Sequence, residues 1–155
     1  VHAVTSEAEW FDELAFPALL RAARRTYAAA IRSDLAEAGC DDVPRNGPYV
    51  IGGIARTGAP LSEIITGLGA SKQAAGQLVD TLVTRGYLER SVDLDDRRRL
   101  TVSLTERGRA AGAVIRAAVE RVDAELLARV GPVHVAHTRA TLAALIGFER
   151  EDDET

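Results

Sequence analysis

Two spacings of apolar residues alternate along the chain, and the places where one yields to the other set the element order. Leu14, Leu20, Ala23, Tyr27, Ile31 and Leu35 recur at helical spacing until Gly39 interrupts them. Ser6 and Glu9 form a capping box ahead of this run, so the pattern predicts a helix from near Glu7 to residue 38. Pro17 falls inside it and should kink the helix or restart it. At 1.5 Å per residue such a helix would be about 40 Å long, more than its own small domain can cover. The excess suggests packing against a second subunit.

CDDVPRNGPYV reads as a connector, and a short apolar helix follows through Val50, Ile51 and Ile54 to Gly58. PLSEIITGLG predicts another, with Leu61, Ile64, Ile65 and Leu68 inward and its end at Gly67 or Gly69. Ser71 is a good N-cap for a helix running to Gly86, whose inward face is Ala75, Leu78, Val79, Leu82 and Val83. Two short helices joined by a glycine-containing turn make a helix-turn-helix. The period then changes to two. YLERSV and RLTVSL flank DLDDRR, so residues 87–104 read as a β-hairpin. Thr105 caps a helix carrying Val114, Ile115, Ala118, Val122 and Leu126 to Gly131, and Pro132 opens a last helix through Leu142, Leu145 and Ile146. The fold class is mainly α (α+β): a winged helix-turn-helix within a helical frame.

The stretch LSEIITGLGASKQAAGQLVDTLVTRGYLERSVDLDDRRRLTVSLTERGRA resembles the core of the MarR family of bacterial transcription regulators. The likeness is carried by LVDTLVTRGYLER, by a wing of form acid-x-x-acid-Arg-Arg (Asp93, Asp96, Arg97, Arg98), and by the closing SLTERG. It implies a single domain over residues 1–155, with dimerisation helices at 7–38 and 105–148. The winged lobe would span 44–104, with its recognition helix at about 71–86 and its wing at about 87–104. By that resemblance the protein is a homodimeric regulator, a repressor, on a pseudo-palindromic double-stranded DNA operator. Arg98 matches the family's minor-groove arginine and Asp96 the acid that pairs with it, while Arg97 and Arg99 would face phosphate or solvent. A narrow minor groove concentrates negative potential, which is the physical reason for cations at a wing tip. On the recognition helix, Ser71, Lys72, Gln73, Ala74, Gly76 and Gln77 point outward. Lys72 suits phosphate or guanine, and Gln73 and Gln77 suit adenine. The resemblance further implies a small aromatic or phenolic ligand between the dimer helices and the DNA-binding lobe. Trp10, Phe11, Phe16, Tyr27 and Tyr49 would line that crevice, with Arg21, Arg24 or Arg25 for a carboxylate; ordinary core and interface aromatics are the competing reading.

Charge sharpens the picture. The chain carries a net charge of −4, yet residues 71–109 sum to +2 and the remainder to −6, so positive charge gathers where the helix-turn-helix and wing lie. Of 155 residues 46% are apolar, enough for a core, and no run nears the roughly 20 residues of a membrane span. VHAVTSEAEW lacks the layout of a signal peptide, which predicts a cytoplasmic chain. One cysteine excludes an internal disulfide, and with His134 and His137 as the only paired histidines no metal centre is expected. Some relatives in the family sense oxidants through a cysteine near the start of the first helix, but Cys40 follows that helix. No G-x-S-x-G, Walker loop or dinucleotide fingerprint is present, so neither catalysis nor a cofactor is expected. The rival class is a winged helix used for protein contacts or small-molecule binding without DNA affinity, and salt-dependent DNA binding separates the two.

Overall fold

A computed structural model describes residues 11–58, 60–92 and 100–152. The first helix, α1 (Phe16–Glu37), has Pro17 in its first turn, where the missing N–H is no loss. Residues 11–14 form turns and a bend, so the chain takes the restart at Pro17 rather than one helix from near Glu7. At 22 residues, α1 is about 33 Å long rather than about 40. The Ser6–Glu9 box lies outside the described residues. Then follow α2 (Gly47–Thr57), α3 (Leu61–Leu68), α4 (Lys72–Thr84), β1 (Leu88–Val92), β2 (Leu100–Leu104) and α5 (Glu106–Asp152). Within α5 the backbone leaves helical geometry at Gly131, φ 78° and ψ 166°, immediately before Pro132. That is the break expected between the last two helices.

The described residues divide into two units, one up to Val119 and one from Glu120. In the first, Leu35, Val50, Ile51, Ile64, Val79, Leu82, Tyr87, Leu88, Leu104 and Ile115 form one apolar core. Val50, Ile51, Leu82 and Tyr87 are wholly enclosed. The expected inward face of α4 is there: Ala75, Val79 and Leu82 are buried, Leu78 and Val83 half-buried. In the second unit, the His134 Nδ1 lies 3.0 Å from the Val130 carbonyl across the helix break, and Arg139 pairs with Asp123 at 3.9 Å. Leu126, Leu127, Val130, Val133, Leu145 and Ile146 of that unit remain exposed. Among the described residues no helix is long and apolar enough to cross a membrane.

The hairpin is antiparallel, with Leu88 opposite Leu104, Arg90 opposite Val102 and Val92 opposite Leu100. This register buries Leu88 and Leu104 together and leaves Glu89 and Ser103 outward. Where the hairpin returns to helix, SLTERG acquires a physical meaning. The Thr105 backbone N–H donates to the Tyr87 carbonyl at 3.1 Å, and its hydroxyl accepts from the Gly108 N–H at 3.0 Å, a side-chain cap on α5. A Cβ on Gly108 would stand 2.0 Å from the Tyr87 carbonyl oxygen. Thr105 and Gly108 thus let the first turn of α5 lie directly against the root of β1.

A polar cluster closes the same corner. The buried Tyr87 donates its hydroxyl to Asp42 Oδ1, and Arg107 Nη2 reaches that oxygen at 2.9 Å. Arg107 also lies over the Tyr87 ring, 4.3 Å from its centroid, and donates to the Arg85 carbonyl, while Arg85 donates to the Asp42 carbonyl. The Tyr87 hydrogen bond, aided by the Arg107 charge, holds the Asp42 carboxyl below the ordinary aspartate range against some desolvation. Burial, reinforced by the Asp42 acceptor, pushes the Tyr87 hydroxyl well above the ordinary tyrosine value.

Two outcomes follow from these contacts. Gly108→Ala should destabilise the protein by about 1–3 kcal/mol, the usual cost of forcing atoms into a packed site, read as a lower urea midpoint. Because Asp42 is lowered in the fold, its stabilisation is present above the unfolded pKa and is lost as pH falls through the folded one. The melting-temperature advantage of wild type over Asp42→Asn should therefore be full above about pH 5 and shrink as pH falls below about 4. An advantage that is constant from pH 6 to 3 would contradict the assignment.

Candidate nucleic-acid interface

The candidate face is built by how α4 starts. Gly69, at φ 65°, closes α3 in the left-handed region that glycine adopts without strain, which decides between the two glycines considered from sequence. Gly67 lies inside α3 instead, where a Cβ would meet the Tyr49 hydroxyl at 2.5 Å. Ser71, extended at φ −60° and ψ 154°, then accepts the Ala74 N–H on its hydroxyl at 3.2 Å. Such a cap contributes about 1 kcal/mol and sets where the helix begins. With Ala75, Val79 and Leu82 facing the core, the opposite side carries Lys72, Gln73, Ala74, Gly76, Gln77 and Asp80, all exposed. Gln73 and Gln77 stand one turn apart on the same face. The six positions expected from sequence to point outward (Ser71, Lys72, Gln73, Ala74, Gly76, Gln77) are therefore all exposed.

The wing meets this helix through an ion pair that sequence reasoning missed. Arg90 on β1 hydrogen-bonds Asp80 on α4, so the acid on this helix is countered by a cation from the hairpin. Both side chains are largely exposed, so the pair adds little stability and acts mainly on local charge. Asp96, Arg97, Arg98 and Arg99 lie outside the described residues.

A shallow groove of about 270 Å³ runs beside α4, lined by Pro44, Arg45, Asn46, Leu68, Ala70, Ala74, Gln77, Leu78 and Thr81. It places Arg45 and Asn46, which the sequence showed only as connector, on the same groove as Gln77. Among the described residues no acidic side chain lines it. Arg45 is an exposed cation next to the reading face, and its signal in sequence was nothing more than an arginine in a loop.

The residues proposed for a small ligand are placed differently. Trp10 lies outside the described residues. Phe16 is exposed, Arg21 exposed and Tyr27 half-buried on α1, and Tyr49 is exposed on α2 with its hydroxyl against Gly67. At 3.6 residues per turn, Phe16 and Tyr27 fall on one face of α1, whereas Arg21 points about 140° away from Phe16. None of the four described residues among them lines the groove beside α4. Among the described residues no group of three or more His, Cys, Asp or Glu side chains could hold a metal ion.

Comparison with known proteins bears on the whole arrangement. Residues 41–99, from the connector through the helix-turn-helix to the wing, match the MarR family. The fold is shared with Staphylococcus aureus MepR in a complex with DNA, at 17% identity over 87% of this chain and 98% of that one, with a TM-score of 0.70. It is also shared with Streptococcus pneumoniae FabT in complex with DNA (18% identity, 87% and 95% covered, TM-score 0.71). A crystal structure of MarR is similar as well (21% identity, 92% and 97% covered, TM-score 0.70). No curated protein matches the chain by sequence. The segment 41–99 therefore matches the MarR family, and the chain shares the fold of these winged helix-turn-helix proteins.

Proposed function

We propose that this protein is a sequence-specific double-stranded DNA-binding transcriptional regulator, a homodimeric repressor. The observation that carries the reading is the outward face of α4: a helix capped at Ser71 whose Lys72, Gln73 and Gln77 are all exposed, beside a hairpin wing. MepR and FabT, which share the fold, have been seen in complexes with DNA. Gln73 and Gln77 would read base edges in the major groove, and Lys72 would contact phosphate or guanine. Arg98 would enter the minor groove with Asp96 holding it, and Arg97 and Arg99 would lie along the backbone.

The homodimer rests on apolar side chains left uncovered. Phe11, Leu14 and Phe16 in the first unit, and Leu126, Leu127, Val130, Val133, Leu145 and Ile146 in the second, are at least 40% exposed. Exposed apolar surface on this scale marks an association site. A twofold dimer would set two half-sites a whole number of helical turns apart, about 10 bp or a multiple. A small aromatic effector would meet Phe16 and Tyr27 on their common face of α1.

Duplexes selected by the purified protein from a random pool test the reading. The winning sequences should be pseudo-palindromic, and log K should fall with log salt by about 0.9 per phosphate contacted. Arg98→Ala should weaken operator binding by about 1–3 kcal/mol, and Gln73→Ala and Gln77→Ala should relax preference at single base pairs. Gly76 adds a sharper case, because nothing stands within 4 Å of a Cβ built there. Gly76→Ala should stabilise the free protein by about 0.5–1 kcal/mol through helix propensity, yet weaken operator binding by crowding the apposed groove. Affinity unchanged by all four variants would move DNA off this face. Light scattering at micromolar concentration should give twice the chain mass; a folded monomer would refute the dimer.

A further inference from the structure

We propose that Asp42 is a positioning residue for DNA reading, holding the end of the recognition helix and the root of the wing in one orientation on the α1–α2 connector. The inference rests on the reading of α4 as the recognition helix. Three groups distant in sequence converge on this one residue. Tyr87 and Arg107 take its Oδ1, the latter at 2.9 Å, and Arg85 takes its backbone carbonyl. Arg85 is the C-cap of α4, Tyr87 immediately precedes β1, and Arg107 lies in the first turn of α5. Arg107 binds the other members to each other, through the Arg85 carbonyl and the face of the Tyr87 ring. With Gly86 alone between the two pinned residues, helix and strand cannot swing independently.

Stability by itself does not account for the cluster. The Asp42 and Arg107 side chains are 40% and 43% exposed, a setting in which an ion pair contributes little to folding. Leu82, Leu88 and Ile51 already fill the apolar core to which Tyr87 belongs. Directional hydrogen bonds do fix angles, and a face that reads base edges depends on angle. The cluster also occupies Arg85 and Arg107, two of the cations in the positive segment 71–109. Their charge is directed inward to Asp42 and to backbone carbonyls, so DNA contact falls to Lys72 and the wing.

The test compares wild type, Asp42→Asn, Arg107→Gln and the double variant on a selected operator and on a random duplex across a salt series, with melting curves alongside. Operator affinity should fall roughly tenfold, the scale of one well-placed contact. Random-duplex affinity and the salt slope should stay as in wild type, and the double variant should be no worse than the worse single one. Arg107→Lys, which keeps the charge and loses the planar fork, should restore only part of the loss. A purely structural role would lower the melting temperature and leave the operator-to-random ratio of the folded fraction intact; that result overturns the proposal. If Asp42→Asn fails to fold, Arg107→Gln is read in the same way, since it keeps the Tyr87–Asp42 bond. Wild type that selects no operator refutes the DNA-binding reading and the positioning role with it, whereas a selective wild type with equally selective variants refutes the positioning role alone.

Discussion

The carbonyl of Tyr87 is the constraint around which the winged lobe is organised. It accepts the Thr105 N–H at 3.1 Å, which joins the two ends of the hairpin. The same oxygen stands where a Cβ of residue 108 would be, so only glycine allows α5 to start there. Beyond that atom the Tyr87 side chain runs through the core to Asp42, carrying the constraint from backbone to connector. The end of α4, the root of the hairpin and the start of α5 therefore meet at one corner, held by contacts there.

Electrostatics follows from the same packing. A chain with net charge −4 can present a cationic surface only if its acids are turned elsewhere or paired. Asp80, the acid on the outward side of α4, is countered by Arg90, and Asp42 is hydrogen-bonded by Arg85, Arg107 and the Tyr87 hydroxyl. What remains free along the reading face is Lys72, the two glutamines and, across the groove, Arg45. This face is amide-rich rather than strongly basic. Under the proposed function such a face would carry selectivity through hydrogen bonds to base edges, since base contacts specify and phosphate contacts position.

Much of this was written in local pattern. The helical period of α2 to α4, the Ser71 cap, the change to period two and the break at Gly131–Pro132 are all short-range effects of side-chain spacing, caps and backbone preference. The start of α1 was legible only as an alternative: Pro17 permitted a kink or a restart, and the structure has turns at 11–14 and a fresh helix at Phe16. Family likeness supplied roles for the wing residues, which no periodicity could assign.

The sequence by itself determined the order of elements, the inward face of α4 and most helix boundaries, because those depend on neighbours within a turn or two. Only the tertiary structure decided what SLTERG is for, which arginines are free, and what lines the groove beside α4. Those properties depend on pairs such as Asp42 with Tyr87 and with Arg107, 45 and 65 residues apart. Spacing along a chain holds no record of such meetings. They exist only once the core has brought the α1–α2 connector, the end of α4 and the start of α5 to the same corner.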